Sequence, residues 1–222
     1  MTPEPDGELD GPLYGPHSGG AVKQIVLLLH GYGSNGLDLI SFSNYWRELL
    51  PDALFLAPNA PEPLPGGWGG YQWWGLTEFT REAMARGVAS AAPVLDRYID
   101  RQLDRHGLTE SDMALVGFSQ GTMMALHVGP RRARPLAGIL GYSGMLADPE
   151  ALAREVRSKP PVLLIHGSAD PMVPVTAMEA AKADLEGLGF AVDSHVSPGL
   201  AHSVDLVGLQ LGGDFVRRVL AR

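Results

Sequence analysis

An apolar run, Met113-Ala114-Leu115-Val116, leads straight into Gly117-Phe118-Ser119-Gln120-Gly121, and a helical pattern follows. A strand that empties into a helix across so few residues must reverse sharply at Ser119. Bulky side chains two residues to either side would collide in such a turn, so Gly117 and Gly121 are what the junction demands. The same turn holds a serine hydroxyl at its tip, above a helix N-terminus, as a nucleophile elbow does.

A serine nucleophile needs a base, and the base needs an orienting acid. On folds with this elbow they follow in the order serine, acid, histidine. Downstream, Pro161-Val162-Leu163-Leu164-Ile165-His166-Gly167 reads as a buried strand emptying into a turn that carries Asp170. Residues 191–198 read as a further strand, followed by Gly199-Leu200-Ala201-His202. Upstream, Gln24-Ile25-Val26-Leu27-Leu28-Leu29 ends in His30-Gly31-Tyr32-Gly33. The expected nucleophile is Ser119, the base His202 and the acid Asp170. The backbone N–H groups of Tyr32 and Gln120 are the expected oxyanion donors, Gln120 through its position rather than its amide type.

Rivals exist for each role. Asp148 and Asp205 compete for the acid, and His195, inside the last strand, competes for the base. A base must reach over the strand ends, so a loop histidine is preferred. His30 and His166 each end a strand just before glycine, where they shape turns and satisfy backbone groups.

On Leu29-His30-Gly31-Tyr32-Gly33, Gly117-Phe118-Ser119-Gln120-Gly121, His166-Gly167-Ser168-Ala169-Asp170-Pro171-Met172-Val173-Pro174 and Gly199-Leu200-Ala201-His202, the chain resembles the α/β-hydrolase superfamily. Within it, it is similar to the phospholipase/carboxylesterase family, which includes acyl-protein thioesterases. The resemblance runs from about residue 22 to about residue 220. It implies an α/β-hydrolase fold with a mostly parallel central sheet, helices on both faces and no large cap domain. It also implies a metal-free, cofactor-free hydrolase of carboxylic esters, with thioesters or lysophospholipids as further substrates. A serine peptidase or lactone hydrolase on the same triad is the alternative, followed by a non-catalytic ligand-binding module. The family's exposed apolar loops make a homodimer one option to test.

Strands are expected near 22–29, 53–57, 112–118, 136–142, 161–166 and 190–197, and helices near 37–50, 78–105, 119–129, 149–157, 174–188 and 203–220. Continuous apolar strands alternating with helices argue for a parallel sheet covered on both faces. Pro93 should kink or split the long central helix. Gly212-Gly213 should weaken the last one by about 1 kcal/mol each relative to alanine. Residues 58–77 form the irregular stretch, rich in Gly and Pro yet carrying Trp68, Trp73 and Trp74. These rings are expected to cover the acyl site, favouring short and medium acyl chains. Met145, Leu146, Met172 and Val173, after strand ends, are further wall candidates.

Composition excludes several classes. The chain of 222 residues has no cysteine, which rules out a disulfide framework, a cysteine zinc site and a thiol nucleophile. A formal net charge of −8 argues against nucleic acid and anionic membrane surfaces as partners. No HExxH or HxH spacing suggests a metal site. No run approaches the roughly 18 apolar residues of a membrane span, and the acidic start is unlike a secretory signal, so the cytoplasm is the default location. Residues 1–20 are expected as a loose arm or edge strand, and 21–222 as one catalytic domain.

Overall fold

The computed structural model describes residues 9–66 and 69–221. Along the chain come β1 (Leu13–Tyr14), β2 (Gln24–Leu29), α1 (Gly36–Ile40), α2 (Ser43–Trp46), β3 (Ala53–Leu56), β4 (Glu62–Pro63), β5 (Tyr71–Gln72) and α3 (Arg81–His106). There follow β6 (Met113–Phe118), α4 (Gln120–Val128), β7 (Gly138–Tyr142), α5 (Pro149–Glu155), β8 (Val162–Gly167), α6 (Val175–Gly187), β9 (Val192–Ser197) and α7 (Leu206–Leu220).

Seven strands form one sheet in the order β1-β3-β2-β6-β7-β8-β9, and β4 pairs with β5 apart from it. Within the large sheet only β1 runs antiparallel to its neighbour. The short edge strand is held to the body by Ala57 N–H donating to Pro12 C=O at 3.0 Å and Asn59 N–H donating to Asp10 C=O at 2.7 Å. The part of the expected arm in residues 1–8 lies outside the described residues.

The apolar strands split their side chains between two cores, as a period of two requires. Ile25, Leu27 and Leu29 of β2 join α3 residues such as Val88, Leu95 and Ile99 on one face. Val26 and Leu28 join Trp46, Leu209, Phe215 and Val216 on the other. Both faces being covered, an uninterrupted apolar strand leaves nothing exposed.

Three expectations need correction. The helix expected over 37–50 is two short helices, because the Ser41 and Ser43 hydroxyls bond back to Asp38 and Ile40 carbonyls at 2.6 Å each and compete with a continuing ladder. Pro93 does not split α3, which runs as one helix from Arg81 to His106; Pro93 and Ala89, whose carbonyl a proline deprives of its helical donor, are both exposed residues. The last helix starts at Leu206 rather than 203, since the Asp205 side chain caps it by accepting Gly208 N–H at 2.6 Å. Among the described residues no helix is long and apolar enough to cross a membrane.

Candidate active site

Strand order reverses between β2 and β6, with β3 laid to one side and β7 to the other. Loops leaving the carboxyl ends of two such strands diverge and open a crevice. Leu29 pairs in register with Gly117, so the two strands end level. One loop carries His30-Gly31-Tyr32 and the other carries Ser119. They approach closely enough that a Cβ on Gly31 would sit 3.1 Å from Ser119 Cβ.

Ser119 has φ 53° and ψ −115°, a conformation L-residues rarely adopt. Its neighbours hold it there. Ser119 N–H donates to Tyr142 C=O at 2.9 Å, and Thr122 Oγ1 lies 2.8 Å from both that carbonyl and Gly117 C=O, which share its one O–H. A Cβ on Gly117 would stand 2.4 Å from the Gly121 carbonyl carbon, and one on Gly121 only 1.9 Å from Leu29 O.

Asp170 follows β8 and His202 follows β9, and the structure joins them. His202 Nδ1–H donates to Asp170 Oδ2 at 2.7 Å. A carboxylate can only accept, so Nδ1 carries a proton, and in the neutral ring Nε2 is then the acceptor. The His202 ring lies 4.9 Å from that of Phe118, the residue before Ser119. Asp170 Oδ1 accepts the N–H groups of Met172 and Val173 at 2.8 and 2.9 Å. Burial, the largest influence on Asp170, works to raise its pKa; the hydrogen bonds from His202, Val173 and Met172 outweigh it and hold the carboxyl below its usual range.

The rivals are engaged elsewhere. Asp148 caps α5 by accepting Ala151 N–H at 3.0 Å, and Asp205 caps α7. His195 pairs in register with Ile165 and lines a cavity of about 700 Å³ with Leu163, Phe215 and Arg218, whose lining includes none of Ser119, Asp170 and His202.

Among the described residues neither the Tyr32 nor the Gln120 backbone N–H has an acceptor. Of the wall candidates, Trp68 lies outside the described residues. Trp73 and Trp74 are 1% and 5% exposed and belong to the core that also holds Met84 and Val88. Val173 and Leu146 are buried as well, whereas Met145 is half-buried and Met172 exposed.

Two contributors, the Gln120 amide and Ser143, went unread in the sequence, and His166, expected to satisfy backbone groups, also stands beside the acid. The Gln120 side chain is buried and bonds to the backbone of residues 73 and 74. His166 donates Nε2–H to Val173 C=O at 2.8 Å and stands 3.3 Å from Asp170 Oδ2. Ser143, at φ 47°, points its hydroxyl to Ser203 C=O at 3.5 Å, beside His202. The recurring His-Gly pair at strand ends was the one signal available for His166. Among the described residues no three His, Cys, Asp or Glu side chains converge as metal ligands would.

The family model described as Phospholipase/Carboxylesterase matches residues 17–220. The chain belongs to that family. It has the α/β-hydrolase fold without a separate cap domain, and it is an enzyme of the carboxylic ester hydrolase class. It is 28% identical over 203 residues to esterase YpfH of Escherichia coli (strain K12), covering 90% of this chain and 84% of the relative. It is 31% identical over 189 residues to acyl-protein thioesterase 1 of Schizosaccharomyces pombe, covering 81% of this chain and 83% of the relative. A crystal structure of esterase PE8 superposes with a TM-score of 0.91 at 44% identity, covering 96% of this chain and all of that one.

Proposed function

We propose that this phospholipase/carboxylesterase family member cleaves carboxylic esters by acyl transfer through Ser119, with His202 as the base and Asp170 as its orienting acid. The observation that carries the reading is the 2.7 Å bond from His202 Nδ1 to Asp170 beside the Ser119 elbow. That bond leaves Nε2 as the acceptor a serine proton requires.

In this mechanism His202 Nε2 takes the Ser119 proton as Oγ attacks the ester carbonyl. The carbonyl oxygen becomes an oxyanion and meets the Tyr32 and Gln120 amides, which have no acceptor among the described residues. The imidazolium, balanced by Asp170, gives its proton to the departing alkoxide, leaving an acyl-Ser119 ester. Water attacks the acyl carbonyl as His202 takes a proton from it, and the second tetrahedral oxyanion collapses as the imidazolium returns that proton to Ser119 Oγ, releasing the carboxylic acid and restoring the serine.

The apolar Met172 and Met145, with Val173 and Leu146 behind them, are the proposed acyl contacts. Likeness to an acyl-protein thioesterase supports including thioesters among the substrates. The test is turnover of nitrophenyl esters and acyl thioesters from acetyl to palmitoyl. Ser119→Ala should lower kcat by about 10⁴–10⁶ with folding retained. A fluorophosphonate should label Ser119 and nothing else. Activity of Ser119→Ala within tenfold of the parent would sink the mechanism.

A further inference from the structure

An oxyanion pocket works only if its two donors aim at one point, and a donor in place is worth about 10²–10³ in kcat. Here the donors lie on separate loops, after β2 and after β6. Strand pairing sets the loops' origins but not their course beyond the sheet.

A third segment spans them. Gln120 is 1% exposed, and both ends of its amide are engaged: Oε1 accepts Trp73 N–H at 2.9 Å, and Nε2 donates to Trp74 C=O at 3.0 Å. Trp73 donates its indole N–H to His30 C=O at 3.0 Å. The same segment clasps the far side of that loop, with Gly33 N–H on Tyr71 C=O at 2.9 Å and Tyr71 N–H on Ser34 C=O at 2.8 Å. Gly70 packs so closely there that a Cβ would stand 2.3 Å from Gly33 O. His30 completes the tie: its Nε2 accepts Ala60 N–H at 2.9 Å, so its Nδ1–H donates to Gly31 C=O at 2.7 Å. Burial, the largest influence, keeps this imidazole below its ordinary pKa and hence neutral, as the pattern requires.

We propose that Gln120 and Trp73 are positioning residues of the oxyanion pocket, a strut from the side chain of one donor's own residue to the carbonyl just ahead of the other donor. The 58–77 segment thereby acts as a brace on the catalytic loops. The proposal rests on Ser119 being the nucleophile and on the Tyr32 and Gln120 amides meeting the oxyanion.

Trp73→Phe keeps an aromatic ring in the core and removes the indole N–H. It should lower kcat about tenfold with KM within twofold. Affinity for a trifluoromethyl ketone, which Ser119 converts to a tetrahedral oxyanion, should fall by the same factor as kcat. Trp74→Phe is the control, because the buried Trp74 Nε1 has no partner among the described residues; its kcat should stay within twofold. If Trp73→Phe does not fold, benzothienylalanine at 73 keeps the bicyclic shape without the N–H and makes the same comparison. An unchanged kcat and ketone affinity, with only a lower Tm, would overturn the proposal, as would equal kcat losses at 73 and 74. Ser119→Ala measured alongside separates the two failures. If that variant still turns over, the site reading falls; if it is dead while the position-73 variant is fully active, only the strut falls.

Discussion

Ser119 holds a backbone conformation that costs on the order of 1–3 kcal/mol. It persists because the Tyr142 carbonyl and the glycines on either side leave the turn no other course. The two histidines near the end of the chain show how position decides role. His202 sits past the strand, with Nδ1 committed to Asp170 and Nε2 left as an acceptor. His195 sits within β9 and lines a cavity that holds none of Ser119, Asp170 and His202. His202→Ala should therefore lose about 10⁴-fold or more in kcat with little change in stability, as for a member of a triad. His195→Ala should keep kcat within about twofold, the modest effect expected of a residue outside the reacting geometry. Steady-state kinetics on both variants decides it, and a dead His195→Ala enzyme would move the base.

Among the elements, α7 carries a sequence feature whose meaning the fold reverses. Its glycine pair reads as a weakness, and in isolation alanine would strengthen such a helix by about 1 kcal/mol per site. In the fold the pair lets the helix sit hard against the sheet. A Cβ on Gly212 would fall 2.0 Å from the Tyr142 hydroxyl, and one on Gly213 2.7 Å from the Trp46 ring. Tyr142 cannot yield easily, because it is buried and donates to Gly208 C=O at 2.9 Å. Overpacking of this kind typically costs about 1–3 kcal/mol, which outweighs the propensity gain. Gly212→Ala should lower the urea midpoint of unfolding. A midpoint at or above the parent's would show that α7 has room to move. Gly87 in α3 plays the same part toward Trp74, whose ring lies 2.2 Å from where a Cβ would be.

For the molecule as a whole, acid sensitivity is set by buried groups in two pH windows. His127, buried in α4, has its pKa pushed from 6.5 to about 4, first by burial and then by the nearby Arg131 charge. The unfolded chain binds this proton near pH 6.5 and the folded chain only near 4. Between those values the unfolded state holds more protons, so stability rises with pH. The neutral ring's contribution is complete above about 6.5 and is lost as pH falls toward 4. Asp170 is depressed, so its contribution is present above 3.8 and is lost as pH falls through its lower folded value. His30 and His106 are lowered too, each first by burial. His127→Leu should accordingly flatten, without abolishing, the fall in unfolding free energy between about pH 6.5 and 4. Denaturant titrations at several pH values check this; parallel profiles for parent and variant would refute it.

The alternation of apolar strands and helices was legible because both sheet faces are buried, and burial writes itself into composition. The elbow was legible because the clash that Gly117 answers is local, with the backbone of Gly121 and Thr122. The order of serine, aspartate and histidine, each just past a strand, singled out Asp170 and His202, which the structure joins, and Ser119, whose neighbour Phe118 packs against the His202 ring. Other features needed the third dimension. The aromatic residues of the 58–77 stretch read as a cover because tryptophan must be buried somewhere, but only the fold shows Trp73 and Trp74 buried in the core beneath α3. The Gln120 amide read as incidental because its partners lie 46 and 47 residues away in the chain. A local pattern records what a residue's own backbone demands; a contact between distant segments depends on how every element between them packs, and no window of sequence contains it.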